Sequence, residues 1–263
     1  MSDAGGQVKV EVTLLDRPSG RTARVVINNE RRLNCLSTPL IVELTAVISQ
    51  LAQDQKLRAV VLTGAGDKAF IGGADLNELA TLNPDSARLY ITRLHQACQA
   101  IRDCPVPVLA SINGYCLGAG LEVAACCDWR AAADGAQFGM PEVQMGLPSV
   151  IEAALLPGLI GWGRTRQLLL TGTLYSAADA ASMGLVERVV PAAALEAVIA
   201  GWLEAICRAA PAAIRAQKAL LNRWQRVSIE EGIFAGIDAL AEAYGTGEPQ
   251  AAIGAFLRSK PRP

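Results

Sequence analysis

An α/β architecture is predicted by three observations. Strand-like and helix-like patterns alternate through the first half of the chain. One strand segment, Ala59-Val60-Val61-Leu62, is continuously apolar, as in a strand covered on both faces, and Val108 to Ile112 reads as the next strand. A glycine-rich turn follows each: Phe70-Ile71-Gly72-Gly73-Ala74-Asp75-Leu76, and Asn113-Gly114-Tyr115-Cys116-Leu117-Gly118-Ala119-Gly120-Leu121-Glu122. Turns of that kind at the ends of parallel strands mark ligand crevices.

Taken in order, Val8 to Leu15 alternates apolar and polar residues, Arg17-Pro18-Ser19-Gly20 turns, and Arg24 to Ile27 resumes, which predicts a β-hairpin. Thr38 is expected as the N-cap of a helix with Pro39 at its first position and an apolar stripe of Leu40, Leu44, Val47, Ile48 and Leu51. Asn83-Pro84-Asp85 opens a second helix that runs to about Arg102 and is stopped by Pro105-Val106-Pro107. Gly118 to Cys127 is read as helix and Trp129 to Ala133 as strand. Beyond Ser176 the pattern is helical: Ser176 to Met183, Ala192 to Ala209, Ala212 to Trp224, Ile229 to Tyr244, and a last turn from Pro249 to Leu257.

Composition narrows the function. At 263 residues and 51% hydrophobic content, the chain can bury a sizeable core. Lys and Arg number 24 against 25 Asp and Glu, and aromatics are only 5%, so neither nucleic acid nor a membrane surface is expected as a partner. Met1 to Gly6 lacks the basic and apolar regions of a secretory signal. Seven scattered cysteines without CxxC pairs are expected as reduced thiols of a cytoplasmic protein. A single histidine, His95, leaves no basis for a metal site.

Several motifs fail on inspection. Thr63-Gly64-Ala65-Gly66 starts like a dinucleotide loop, but Ala69 stands where the third glycine belongs and no helix opens there. No Tyr-x-x-x-Lys pair occurs, Gly66 to Gly72 lacks the lysine of a phosphate loop, and no serine sits in a GxSxG elbow. What remains is two small-residue turns able to expose backbone N–H groups, the second opening a helix, with Glu122 in that helix's first turn and a second carboxylate in Phe138-Gly139-Met140-Pro141-Glu142. Convergent N–H groups stabilise an oxyanion, and paired carboxylates move protons beside it. Read alone, Glu122 is equally a favourable charge at a helix start, Glu142 a loop residue, and the turns tight packing of helix on sheet.

These segments, with Lys68-Ala69, Cys127-Asp128, Leu170-Thr171-Gly172 and Ala177 to Val186, resemble the crotonase (enoyl-CoA hydratase/isomerase) superfamily, and the resemblance runs from Asn34-Cys35-Leu36 to Phe256. It implies an α/β spiral of ββα units over residues 1–200 and a helical C-terminal region, 201–263, for trimerisation, giving a homotrimer or a dimer of trimers. It implies an acyl-CoA substrate, so that coenzyme A enters as part of the substrate and no separate cofactor is needed. By the same match Ala74 and Ala119 supply the two oxyanion N–H groups, and Glu122 and Glu142 are the catalytic pair that adds water across a Cα=Cβ bond. Many relatives have Gly where Ala119 stands. Arg32, Leu33, Cys35, Gly73, Asp75 and Leu76 would line the CoA path. Tyr115, Leu117, Gly118, Pro141 and Leu147 would border the acyl group, and Lys260 would reach a CoA phosphate from a neighbouring subunit.

One stretch departs from the family. Hydratases follow the second glutamate with a Pro-Gly-x-Gly-Gly-Thr-like run; here it reads Gly146-Leu147-Pro148-Ser149-Val150-Ile151-Glu152-Ala153. One reading is a helix start, with Ser149 as N-cap and Glu152 completing a capping box. The other is a reshaped acyl pocket with a third carboxylate. An isomerase, dehydratase, hydrolase or decarboxylase of acyl-CoA, or a non-catalytic acyl-CoA-binding subunit, are the alternatives this departure leaves open.

Overall fold

A computed structural model describes residues 8–259. Met1 to Gly6 and Lys260 lie outside the described residues. Strands β1 (Lys9–Arg17) and β2 (Gly20–Asn28) form the expected hairpin, antiparallel across Pro18-Ser19 with Arg17 opposite Gly20. Helix α1 (Thr38–Leu51) starts one residue before expectation: Ser37 is the N-cap and Thr38 is already helical. The cause is tertiary. The Glu78 carboxylate accepts from both the Thr38 N–H, at 2.8 Å, and the Thr38 hydroxyl, so a distant side chain does the capping. Leu40, Ile41, Leu44, Ile48 and Leu51 are buried, and Val47 packs half-buried beside them.

Then follow β3 (Leu57–Gly64), β4 (Ala69–Ile71), α2 (Leu76–Leu79) and α3 (Pro84–Asp103). The last is opened by a reciprocal Asn83–Ser86 capping box. Next come β5 (Val108–Ile112), β6 (Tyr115–Leu117), α4 (Ala119–Cys126), β7 (Trp129–Ala133) and β8 (Gln137–Gly139). Helix α5 (Leu156–Thr171), bent at Gly161 where φ is 75°, has no counterpart in the sequence reading. It leads to β9 (Tyr175–Ser176), α6 (Ala177–Met183) and β10 (Arg188–Val190). The expected 192–209 helix divides into a 3₁₀ turn, Ala192–Ala194, and α7 (Leu195–Arg208). Helices α8 (Pro211–Trp224), α9 (Ile229–Gly245) and α10 (Glu248–Ser259) complete the chain.

The strands make two sheets. The larger has the order β1-β2-β3-β5-β7-β10, parallel from β2 onward; the smaller has the order β4-β6-β8-β9. Each successive pair, β3–β4, β5–β6 and β7–β8, therefore gives its first strand to the large sheet and its second to the small one, which is a spiral. The continuous apolar run of β3 is explained by its two covered faces. Val60 and Leu62 face the main core with Phe70, Leu121 and Phe138, while Ala59 and Val61 face a second cluster with Leu195, Ile199, Leu203 and Ile206 of α7. At ~1.5–3 kcal/mol for each fully buried aliphatic side chain, those four residues alone hold α7 firmly on the sheet.

Two buried cations tie later helices to the spiral. The Arg58 guanidinium donates to the carbonyls of Ser19, Ile206 and Ala209 at 2.7 to 3.0 Å, joining the hairpin turn to the end of α7. Lys218 of α8 donates to Val106 O at 2.9 Å and to Asp128 Oδ2 at 2.7 Å, and the same oxygen accepts from the Val108 N–H. All seven cysteines are free thiols. Among the described residues no single helix is long and apolar enough to cross a membrane.

Candidate active site

The two glycine-rich turns adjoin. They leave not from the large-sheet strands directly, as expected, but from the three-residue strands β4 and β6, which pair in parallel with Ile71 opposite Cys116. Local sterics make the glycines obligatory. A Cβ on Gly120 would stand 2.1 Å from Ile71 O, and one on Gly72 would stand 2.9 Å from Leu33 Cβ. Gly73 has φ 125°, and the nearest atom to its missing Cβ is Leu117 O of the other turn, at 3.5 Å.

The hydrogen bonds around each turn are donated by neighbours of the two alanines. In the first, Gly72 N–H donates to Leu33 O at 2.8 Å and Asp75 N–H to Leu36 O at 2.9 Å. In the second, Gly118 N–H donates to Gly139 O at 2.9 Å, and Leu121 and Glu122 N–H both donate to Gly118 O. Neither set uses the N–H of Ala74 or of Ala119, the first residue of α4, where N–H groups have no intrahelical acceptor. The helix start adds a favourable field for negative charge at Ala119.

Both carboxylates stand beside these turns. Glu122 is 4% exposed, and its Oε1 accepts from the Ala153 N–H at 3.2 Å. Burial, reinforced by the nearby Glu142 and Glu152 carboxyls, pushes its pKa from the ordinary 4.5 up to about 8, against the lowering effect of the Ala153 hydrogen bond. Glu142 sits in a 3₁₀ turn, Pro141–Met145, and reaches back to the second turn: a Cβ on Gly118 would meet its Oε1 at 2.5 Å. The Ser149 hydroxyl donates to Glu142 Oε2 at 3.0 Å.

The capping-box reading of Ser149 and Glu152 is therefore wrong. Ser149 holds Glu142. Val150, without a side-chain cap, precedes the 3₁₀ turn Ile151–Leu155. Glu152 is buried and 2.7 Å from His95 Nδ1. Both side chains are taken by residues outside the Ile151–Leu155 turn.

The remaining expected residues fall into two groups. Arg32, Leu33, Cys35, Asp75 and Leu76 cluster at the first turn. Arg32 Nη1 and Asp75 Oδ2 form an ion pair at 2.8 Å, and Asp75 also accepts from Asn77 N–H as the cap of α2. Burial works against the Asp75 charge, but the hydrogen bonds from Asn77 and Arg32 outweigh it and hold its pKa below the ordinary value. Tyr115, Leu117, Gly118, Pro141 and Leu147 lie on β6 and the Glu142 turn, with Tyr115 and Leu147 exposed. Sequence reasoning gave no role to Asn34, which has φ 56° and donates to Ala65 O and Ala69 O while accepting from Asn29 N–H, pinning the first turn from below. Nor did it find Tyr90, whose hydroxyl donates to Leu36 O at 2.8 Å, beside the Leu36–Ala74 bridge.

A cavity of about 610 Å³ lies away from the two glutamates, among α4, α5 and α8; of its ionic groups, Asp128 and Lys218 are bonded to each other and Arg130 is paired with Glu187. Among the described residues no cluster of His, Cys, Asp and Glu could hold a metal ion.

The family model described as enoyl-CoA hydratase/isomerase matches residues 19–260. The short-chain-enoyl-CoA hydratase of Clostridium acetobutylicum is 32% identical, over 92% of this chain and 93% of that protein. The crotonyl-CoA hydratase of Syntrophomonas wolfei is 31% identical, over 91% and 93%. The crystal structure of an enoyl-CoA hydratase from Bacillus anthracis superposes with a TM-score of 0.89 at 33% identity, covering 95% of this chain and 96% of that one.

Proposed function

We propose, from the premise that this chain belongs to the enoyl-CoA hydratase/isomerase family, that it adds water across the Cα=Cβ bond of a 2-enoyl-CoA thioester. The observation that carries this reading is the pair of acids beside adjoining turns whose alanine N–H groups the turns themselves leave unused. The thioester oxygen is taken up by the N–H groups of Ala74 and Ala119, which stabilise the enolate that forms when water attacks Cβ. Glu122, with its pKa near 8, holds its proton at neutral pH and gives it to Cα. Glu142, oriented by Ser149, accepts the proton that water loses. No metal or separate cofactor enters this scheme.

Further parts of the reading concern assembly and binding. Residues 1–200 carry the chemistry and 201–263 the contacts between subunits, in a cytoplasmic homotrimer or dimer of trimers. That is supported by the apolar face of α9, where Ile229, Ile233, Phe234, Ile237 and Leu240 are exposed in the single chain. The CoA moiety runs past Arg32, Leu33, Cys35 and Leu76, and Lys260 meets its phosphates. Hydration of crotonyl-CoA by the wild type and by Glu142→Gln is the direct test. Loss of a positioned acid or base lowers the rate by ~10²–10⁴, and robust turnover by the variant would refute the assigned role. A different acyl-CoA reaction is the second reading, favoured by Glu152, a buried carboxyl beside the pair. Across a panel of acyl-CoAs, hydration must exceed every other conversion or that reading replaces the first.

A further inference from the structure

The hydration scheme leaves one buried acid and the chain's single histidine unused. Glu152 follows Ile151, whose φ of 38° lies in the left-handed region that β-branched residues rarely enter. Its side chain is 4% exposed, and Oε1 lies 2.7 Å from His95 Nδ1. Its Oε2 has no hydrogen-bond partner among the described residues. A buried carboxyl oxygen without a partner is costly, and such a cost is tolerated at groups with a chemical role. On one side, the next residue's N–H, from Ala153, donates to Glu122 Oε1. On the other, His95 on α3 has a side chain 49% exposed. Glu152 and His95 thus lead from beside Glu122 toward solvent.

We propose that Glu152 and His95 form a proton relay that returns Glu122 to its protonated state between turnovers. The inference rests on the hydratase reading and adds a route that reading needs. In each cycle water's oxygen bonds to Cβ, the π pair is drawn toward the thioester, and the Glu122 proton bonds to Cα. Water's second proton goes to Glu142. Glu122 ends one proton short and Glu142 one proton long. Glu142 discharges to water at the pocket mouth. Glu122 takes a proton from Glu152, Glu152 takes one from His95, and the imidazole is recharged by bulk water or buffer. One water is consumed and the protein is restored.

The other titratable groups packed here do not compete. Glu142 faces Glu122 from the 3₁₀ turn. On α3, burial holds the Tyr90 hydroxyl well above its ordinary pKa. A hydrogen bond with Cys126 of α4, together with burial, does the same for the Cys98 thiol. Both stay protonated at neutral pH. Glu152 and His95 act through Glu122 and are positioning residues in this scheme.

The test uses full-length wild type, Glu152→Gln, His95→Ala and His95→Gln, with crotonyl-CoA and with imidazole buffer as added proton donor. An inactive wild type overturns the hydratase reading itself. With an active wild type, the relay predicts that Glu152→Gln and His95→Gln both lower kcat about tenfold with KM little changed, less than the ~10²–10⁴ lost with a group that acts on the substrate directly. It also predicts that added imidazole restores kcat of His95→Ala in a saturable way. His95→Gln keeps a donor to Glu152 without titrating, so it preserves a purely structural contact. Wild-type kcat in His95→Gln, or a slow His95→Ala that does not respond to imidazole, overturns the relay and leaves the hydratase reading standing. Should His95→Ala melt at a lower temperature, the glutamine variant decides.

Discussion

Replacing Glu122 by Gln removes an ionisation the fold resists and should trade activity for stability. The native protein keeps the Glu122 proton up to about pH 8, whereas an unfolded glutamate loses it near 4.5. Between those values the native state binds more protons than the unfolded chain, so wild-type stability falls as pH rises and is flat above the upper value. At 1.36 kcal/mol per pH unit the interval corresponds to roughly 4–5 kcal/mol, of which about 3 is already lost at pH 7. The side chain is nearly wholly buried, so solvent screening takes little from that figure. Gln is isosteric and still accepts from the Ala153 N–H, yet cannot ionise. Guanidinium unfolding of both proteins at pH 5, 7 and 9 reads the effect directly. The stability of Glu122→Gln relative to wild type should climb by several kcal/mol across that range, while hydration is lost. Parallel stability curves for the two proteins would refute the burial argument and, with it, the assignment of Glu122 as the protonated partner.

Other perturbations test the framework around the site. Gly120→Ala places a methyl 2.1 Å from the Ile71 carbonyl; backbone there cannot yield cheaply, and a loss of at least ~1–3 kcal/mol is expected in thermal unfolding, with a larger fractional loss of kcat. Lys218→Met strips Asp128 and the Val106 carbonyl of a buried donor and should destabilise by about 3 kcal/mol, measured by denaturant midpoint. Ser149→Ala frees Glu142 Oε2. It should lower kcat about tenfold through misplacement of the base while leaving the melting temperature within a few degrees.

What the sequence disclosed and withheld follows from the range of each interaction. The strand Val108–Ile112 was legible because its apolar run is bounded by Pro107 and Asn113-Gly114, all local signals. The glycine turns were legible because the clashes that forbid other residues are written as runs of small side chains. The capping of α1 was misread because Glu78, 40 residues away, supplies the acceptor. The Ser149–Glu152 spacing fits a capping box, but Glu142 and His95 compete for those side chains and only the folded chain brings them near. Helix α5 was missed because its glycines, with a bend at Gly161, break the helical period. The small sheet was invisible because strands of two or three residues carry no periodicity.

From β2 onward the strands of the large sheet stand in the order the ribosome makes them, β2, β3, β5, β7, β10, each laid beside its predecessor. Growth proceeds at one edge, so every new coil finds its template already synthesised and no later strand must be threaded between earlier ones. A nascent chain can therefore wind up in the direction of translation, like thread taken onto a spool, and a loop lengthened late in the chain leaves the coils already wound undisturbed.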